Sequence, residues 1–304
     1  MADNFEQVNC NLCGSSDYKI VFKPRYDLEK DKDCAVKFRS SGDELLIDQL
    51  VACKKCGFMY INPRLKSDII LDAYASGEDE TFISQMKGRE NTFGKFLDKI
   101  GKFHPQPGKI LDVGTAGGSF LHAAKQRGWD VYGCEPNRWL CDWSKKHYGI
   151  DIKSGTIFEQ KYQQNFFDVV TIWDVLEHTP DPKEVLRECR RILKKKGLLV
   201  VNYPDIGSWI ARIMGRKWVF LLSVHLYYFT RRTMVKMLQD SGFSVLKIKP
   251  HYQQLALGYL FSRSKAYVGH VGAIGENISR MLGMGGVNIP YWIGQTLVIA
   301  QKEQ

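Results

Sequence analysis

The sequence predicts an α/β protein: a parallel sheet with helices on both faces, preceded by a small cysteine-bearing module. Three observations predict it. From residue 109 onward, short apolar runs alternate with stretches of helical period. The first such run, KILDV, ends beside Asp112 and passes at once into the glycine-rich turn GTAGG and a helical pattern. Ahead of it, two Cys-x-x-Cys-Gly pairs occupy residues 1 to 65.

Taken in order, the motifs are Cys10-x-x-Cys13-Gly14 and Cys53-x-x-Cys56-Gly57, with 39 residues between Cys13 and Cys53. Each makes a tight knuckle in which glycine lets the backbone turn while amides point at thiolates. Two knuckles complete a tetrahedral four-thiolate zinc site with no open position, so this zinc is expected to be structural. Cys34, Cys134, Cys141 and Cys189 read as ordinary thiols. Residues 66 to 108 read as a helical linker, DIILDAYAS and ENTFGKFLDKIGKF, ending before Pro105 and Pro107. The α/β domain covers 109 to 304. Its strands are expected at 109–113, 130–134, 151–153, 167–172 and 197–203, with helices at about 117–127, 137–147 and 181–195. FSVLKIK at 243–249 and TLVIAQK at 296–302 are the last two strand-like runs. Two inserts, 205–229 and 250–295, emerge where ligands bind in open α/β sheets and are expected to roof the pocket.

Composition sets limits on function. Of 304 residues, 44% are hydrophobic and 25% charged, which excludes global disorder. The 43 Lys and Arg against 33 Asp and Glu give +10, a balance that suits acidic partners such as sugar nucleotides, anionic membrane surfaces or RNA, or simply a solubilising surface. The amino-terminal MADNFEQVNCNLCG is polar and shows no export signal. WVFLLSV and LALGYLF fall far short of the roughly 20 residues that cross a bilayer, so a cytoplasmic protein, soluble or at most peripheral to a membrane, is expected.

The turn after Asp112 has glycine at 114, 117 and 118, whereas a dinucleotide fingerprint from Gly114 needs it at 116 and 119, where Ala116 and Ser119 stand. The spacing fits D-x-G-x-x-x-G, in which the carboxylate holds a cationic ligand and the glycines admit a nucleoside. Twenty-one residues past Gly114, VYGCEPN ends a second strand at Glu135, placed to accept hydrogen bonds from ribose hydroxyls.

On these residues, and on FFDVVTIWDVLEHTPDPKEVLRECRRILKKKGLLVVNYPD at 166–205, the chain resembles the class I S-adenosylmethionine (SAM) dependent methyltransferases. It is most similar to the subgroup with an amino-terminal four-cysteine module, whose members often serve glycan and natural-product pathways. The resemblance implies a Rossmann-like, seven-stranded, mostly parallel methyltransferase sheet whose last pair forms a reversed edge. It implies that Asp112, Gly114, Thr115, Ala116, Gly117 and Gly118 hold the methionine end and Glu135 the ribose. Thr156 and Ile157 would flank the adenine, and Trp173 and Asp174 would lie under the methionine moiety. Ala116 replaces the family's usual glycine and is expected to keep negative φ.

Methyl transfer from a sulfonium is an in-line displacement, so the protein must align the reactants and take a proton from the acceptor. Of seven histidines, His225 in VHLYYFT and His178 in LEHTPDP are the candidate bases; the subgroup's usual acidic neighbour of the former is here Val224. Tyr227 and Tyr228 offer hydroxyls to orient an acceptor, or pack as core. His104, His122, His147, His251 and His270 read as surface or core residues. The implied reaction is methylation of a hydroxyl, or of a carbon, on a small sugar-like, sugar-nucleotide or natural-product acceptor. An RNA methyltransferase is the alternative, although no nucleic-acid module or basic aromatic groove appears, so no sequence-specific nucleic acid is expected. A non-catalytic SAM-binding scaffold at a membrane surface is another, and the oligomeric state is left open.

Overall fold

The structure is a computed structural model that describes residues 4–25, 45–75, 77, 83, 85–268 and 270–303; Cys34 lies outside them. In the amino-terminal region, β1 (Phe5–Glu6) pairs with β5 (Arg64–Leu65), and β2 (Tyr18–Phe22), β3 (Leu50–Cys53) and β4 (Met59–Ile61) form an antiparallel sheet. Two helices follow, α1 (Ser67–Ala75) and α2 (Met86–Ile100). The spacing of Phe93, Phe96, Leu97 and Ile100 puts them on one face of α2, which is buried against Phe120 and the strands beneath.

The α/β part runs β6 (Lys109–Val113), α3 (Ser119–Lys125), β7 (Asp130–Glu135), α4 (Arg138–Tyr148), β8 (Lys153–Ser154), β9 (Phe167–Trp173), α5 (Pro182–Ile192) and β10 (Leu193–Pro204). Then come α6 (Trp209–Met214), β11 (Tyr227–Tyr228), α7 (Arg231–Asp240), β12 (Phe243–Pro250), β13 (Gln253–Ala256), α8 (Leu257–Val268), α9 (His270–Met281), β14 (Asn288–Tyr291) and β15 (Gln295–Lys302). Seven strands make one sheet in the order β12-β15-β10-β9-β6-β7-β8, and β15 runs antiparallel to both of its neighbours. The expected seven-stranded, mostly parallel sheet with a reversed final strand is therefore present. Its central strands are apolar on both faces, as helix-covered parallel strands must be: β10 is buried from Gly197 to Pro204.

Capping explains the helix boundaries. Asn137 accepts from the Leu140 amide at 3.0 Å to start α4, and Asp181 accepts from Glu184 at 2.9 Å to start α5, with Pro182 at the first helical position. The helix expected to reach residue 195 stops at Ile192. Leu193 is extended and pairs with Phe167, and Lys196 bends the chain at φ 59° before the register resumes at Leu198. The three lysines favour helix weakly, and burial of Leu193 in the sheet outweighs them.

The two inserts take different courses. The first places β11 against β4, so the amino-terminal sheet becomes four-stranded, β11-β4-β3-β2, with one strand drawn from beyond residue 200. Phe58 stacks on Tyr227 at 5.5 Å, within a core that also holds Cys10, Val51, Leu226 and Val201. The second insert is a two-stranded arm, β13 with β14, carrying α8 and α9 at its far end. The Gln254 amide donates to Thr92 Oγ1 at 2.8 Å and so lays the arm along α2. Among the described residues no helix is long and apolar enough to cross a membrane.

Leu199, fully buried in β10, gives a direct test of the sheet core. Leu199→Ala is expected to lower the unfolding free energy by about 2–5 kcal/mol, read as a lower urea midpoint at unchanged slope.

Candidate functional site

Asp112 and Glu135 end adjacent parallel strands and are both buried. Thr171 Oγ1 on β9 donates to Asp112 Oδ1 at 2.6 Å. Glu135 accepts two amides, Ala116 N on Oε2 at 2.8 Å and Asn137 N on Oε1 at 2.9 Å, and so ties the glycine-rich turn to the start of α4. Burial raises both carboxyls to about 7, against the pull of these donors.

The turn itself has positive φ at Gly114 (65°), Ala116 (48°) and Gly118 (79°). The expectation that Ala116 keeps negative φ is overturned. Left-handed geometry costs a residue with a Cβ on the order of 1 kcal/mol, and the amide it presents to Glu135 offsets that cost. A Cβ on Gly114 would lie 2.7 Å from Val175, so this position tolerates no side chain. Thr115, Gly117 and Gly118 complete the turn, which opens onto the carboxyl ends of β6 and β7.

The other expected cofactor positions divide. Gly155 N donates to the Glu135 backbone carbonyl at 2.9 Å, which ties the turn bearing Thr156 and Ile157 to the end of β7. The amide and hydroxyl of Thr156 both donate to Glu159, at 2.6 and 2.8 Å, while Ile157 packs in the core with Val113 and Cys134. Trp173 sits in an aromatic cluster, 5.0 Å from Phe93, 4.9 Å from Phe96 and 5.4 Å from both Phe120 and His251. Asp174 leaves β9 at φ 52° and accepts from Asn202 (2.6 Å), Gln295 (3.0 Å) and Gln253 (3.3 Å). Burial raises its carboxyl and the Arg89 guanidinium opposes the rise. These last side chains border a small depression lined by Arg89, Thr92, Phe93, Trp173, Asp174, His251, Gln253 and Gln254.

His178 and His225 come together from separate elements, with ring centroids 4.6 Å apart. Each is steered by a backbone carbonyl: His178 Nδ1 lies 3.0 Å from Val224 O and His225 Nδ1 2.9 Å from Phe220 O. A carbonyl only accepts, so both Nδ1 atoms carry the proton and both Nε2 atoms keep a lone pair. Burial depresses both imidazoles, His178 to about 4 and His225 well below the ordinary range, so they are neutral at pH 7. The buried Glu177 joins them, its carboxyl raised well above the usual range by burial and by Asp174. The phenols beside them are committed elsewhere. Tyr227 donates to Pro180 O at 2.9 Å and Tyr228 to Leu222 O at 2.6 Å, so neither hydroxyl faces an acceptor.

The four amino-terminal cysteines converge. Cys10 Sγ and Cys56 Sγ are 3.5 Å apart, as are Cys13 Sγ and Cys53 Sγ, and all four sulfurs lie within 4.8 Å of one another. Zn–S bonds of about 2.3 Å in a tetrahedron set sulfurs roughly 3.8 Å apart, so the thiols fit a four-thiolate ion. Cys134, Cys141 and Cys189 are buried and stand apart from this cluster.

Residues 85–248, more than half of the chain, match the family described as a methyltransferase domain. The chain belongs to this family. Over 123 residues the methyltransferase domain is 34% identical to a ubiquinone biosynthesis O-methyltransferase of Actinobacillus pleuropneumoniae, covering 36% of this chain and 53% of that protein. It is 36% identical over 119 residues to the enzyme of the same name from Pseudomonas entomophila, covering 36% and 51%. The chain thus spans about half the length of these relatives. Among solved structures, a SAM dependent methyltransferase from Archaeoglobus fulgidus shares the fold at TM-score 0.51 and 19% identity, over 74% of this chain and all of that one.

Several residues of the methyltransferase domain's edge escaped the sequence reading. Glu177 lies inside LEHTPDP, next to the histidine that was singled out, and the missing acid at 224 drew attention away from it. His251 follows β12 directly at the ligand-bearing edge, a position that could have separated it from the surface histidines. Arg89, Gln253 and Gln254 come from a helix and an arm whose placement no local pattern announces.

Because Asp112 and Glu135 have folded-state pKa values above their ordinary ones, their neutral forms favour folding. That stabilisation is complete below about pH 4 and fades as pH rises through about 7. In thermal melts without added cofactor, the wild type is expected to lose up to about 3 kcal/mol more than Glu135→Gln between pH 4.5 and 8, since the amide cannot titrate. Parallel curves for the two proteins would contradict this account of Glu135.

Proposed function

We propose that this protein is a SAM-dependent methyltransferase that methylates a hydroxyl on a small polar acceptor. The observation that carries the reading is the pair of buried carboxyls on adjoining parallel strands, Asp112 and Glu135, the latter holding the 114–118 turn through the Ala116 amide. Asp112 accepts from the Thr171 hydroxyl while burial raises its carboxyl, so a cationic ligand is what this position favours. Glu135 accepts two backbone amides, one on each oxygen, and its carboxylate geometry suits further acceptance from ribose hydroxyls. The Thr156–Ile157 turn borders the adenine, and Trp173 with Asp174 closes the methionine side toward the depression.

When bound, SAM supplies an electrophilic methyl group on a positively charged sulfur. The chain's part is to seat the acceptor, exclude water and remove one proton. Arg89 and Gln254 among the lining residues suit a polar or anionic acceptor, such as a sugar nucleotide or a hydroxylated natural-product precursor. The relatives named for O-methylation in ubiquinone biosynthesis support oxygen over carbon as the methylated atom. Loss of the acceptor's proton is placed at the Glu177–His178–His225 cluster, with His225 its principal member. The four cysteines, as a structural zinc site, brace the amino-terminal sheet that holds β11 and hence His225. Such a thiolate site suits a reducing, cytoplasmic compartment.

With isotopically labelled SAM and a panel of sugar nucleotides, glycan precursors and hydroxylated aromatics, a labelled methyl is expected on an acceptor oxygen. Tight SAM binding with no product from any class would overturn the reading. His225→Ala is expected to lower kcat about 10²–10⁴-fold while SAM affinity stays within about twofold. Stripping zinc with a strong chelator is expected to lower the melting temperature sharply, with recovery on adding one equivalent of Zn2+; an unchanged melt would remove the structural zinc.

A further inference from the structure

We propose that Glu177, His178 and His225 form a binding site for a divalent first-row transition cation, separate from the four cysteines. One ligand atom from each of the three side chains lies within 4.8 Å of the others. Both imidazoles are already set up as ligands: Nδ1–H is anchored on a backbone carbonyl, Val224 O or Phe220 O, which fixes the ring and leaves the Nε2 lone pair free. Glu177 provides the independent observation. It is 1% exposed, and neither of its carboxylate oxygens has a hydrogen-bond partner. A buried carboxylate without donors is costly, and a cation between it and two neutral imidazoles removes that cost.

Two nitrogens and one oxygen are the donor set of borderline cations such as Zn2+, Co2+, Mn2+ or Fe2+, and three protein ligands leave coordination positions open. Bonds of about 2.1 Å would bring the ligand atoms to roughly 3.0–3.4 Å of one another, a side-chain adjustment on the scale of 1 Å. The elements that carry them hold the cluster from both sides. The Leu226 amide donates to Glu177 O at 2.8 Å, so the 222–226 loop and the 176–178 turn are stitched together at the ligands themselves.

The proposal rests on the reading of this cluster as the deprotonating centre and specifies its means. A cation held by Glu177, His178 and His225 would polarise an acceptor hydroxyl at an open coordination position and so ease loss of its proton. The oxygen would form its bond to the methyl carbon as the carbon–sulfur bond breaks, with Glu177, His178 and His225 serving to hold the cation.

Cobalt titration of the full chain, stripped of metal by chelation, tests the site without requiring turnover. The wild type is expected to take two Co2+ per chain. One shows thiolate charge-transfer absorption, and the other shows only the weak bands of nitrogen and oxygen ligands. Glu177→Gln and, as a second variant, His178→Gln are each expected to weaken the second Co2+ at least about tenfold. Both leave the thiolate-bound one, which also reports that the chain remains folded. Uptake of a single Co2+ with thiolate bands alone overturns the proposal. So does a second Co2+ that neither variant weakens. The functional reading fails differently, by absence of methyl transfer from a chain that holds both cations.

Discussion

A carboxylate removed from water must meet donors or a cation, and this sheet places a row of them along its carboxyl edge. Asp112, Glu135 and Glu177 are each at most 2% exposed, and Asp174 lines the depression. The chain answers each differently. Asp174 takes side-chain amides from three strands, Glu135 takes two backbone amides, from the turn and from the start of α4, Asp112 takes a threonine hydroxyl, and Glu177 takes none. The sequence of decreasing satisfaction is a map of where foreign positive charge and polar groups belong.

The same constraint shapes the backbone around the edge. Positive φ at Ala116 and Asp174, each with its Cβ, places an amide or a carboxylate where the local charge needs it. Strain of this kind persists when several contacts hold it: Ala116 through the Glu135 hydrogen bond, Asp174 through Asn202, Gln253 and Gln295. The edge is therefore preorganised by groups that come from β7, β10, β13 and β15 together, and not by the glycine-rich turn alone.

Attachment of the amino-terminal region follows from one short strand. Tyr227 and Tyr228 pair with Tyr60 and Met59, Arg64 donates to Tyr227 Oη at 3.0 Å, and the Lys183 amide donates to Asn11 Oδ1 at 3.2 Å. His225 lies two residues before that pairing, so the cysteine-bearing sheet and the histidine cluster share a mechanical link. A metal in the four-cysteine site would thus stiffen the loop that presents His225, although the two clusters are distant in sequence.

Much of this was written locally. The β-α alternation, the strand-end carboxylates 23 residues apart and the paired knuckles depend on residues within a few positions of one another or on periodicity, and they were legible in the chain, while the reversed last strand came from the family resemblance. The sign of φ at Ala116 was not, because it is set by a carboxylate on the next strand. Nor was the end of α5, where pairing with Phe167 overrides the lysines' helical preference. Tyr227 and Tyr228 read as possible acceptor ligands until the tertiary structure gave their hydroxyls to Pro180 and Leu222. By itself the sequence determined the sheet, its cradle and its thiol knuckles, since those rest on short-range pattern. Only the tertiary structure decided which distant side chains share the edge with them, Glu177 with His225 and Arg89 with His251, because burial and long-range hydrogen bonds leave no trace in local spacing.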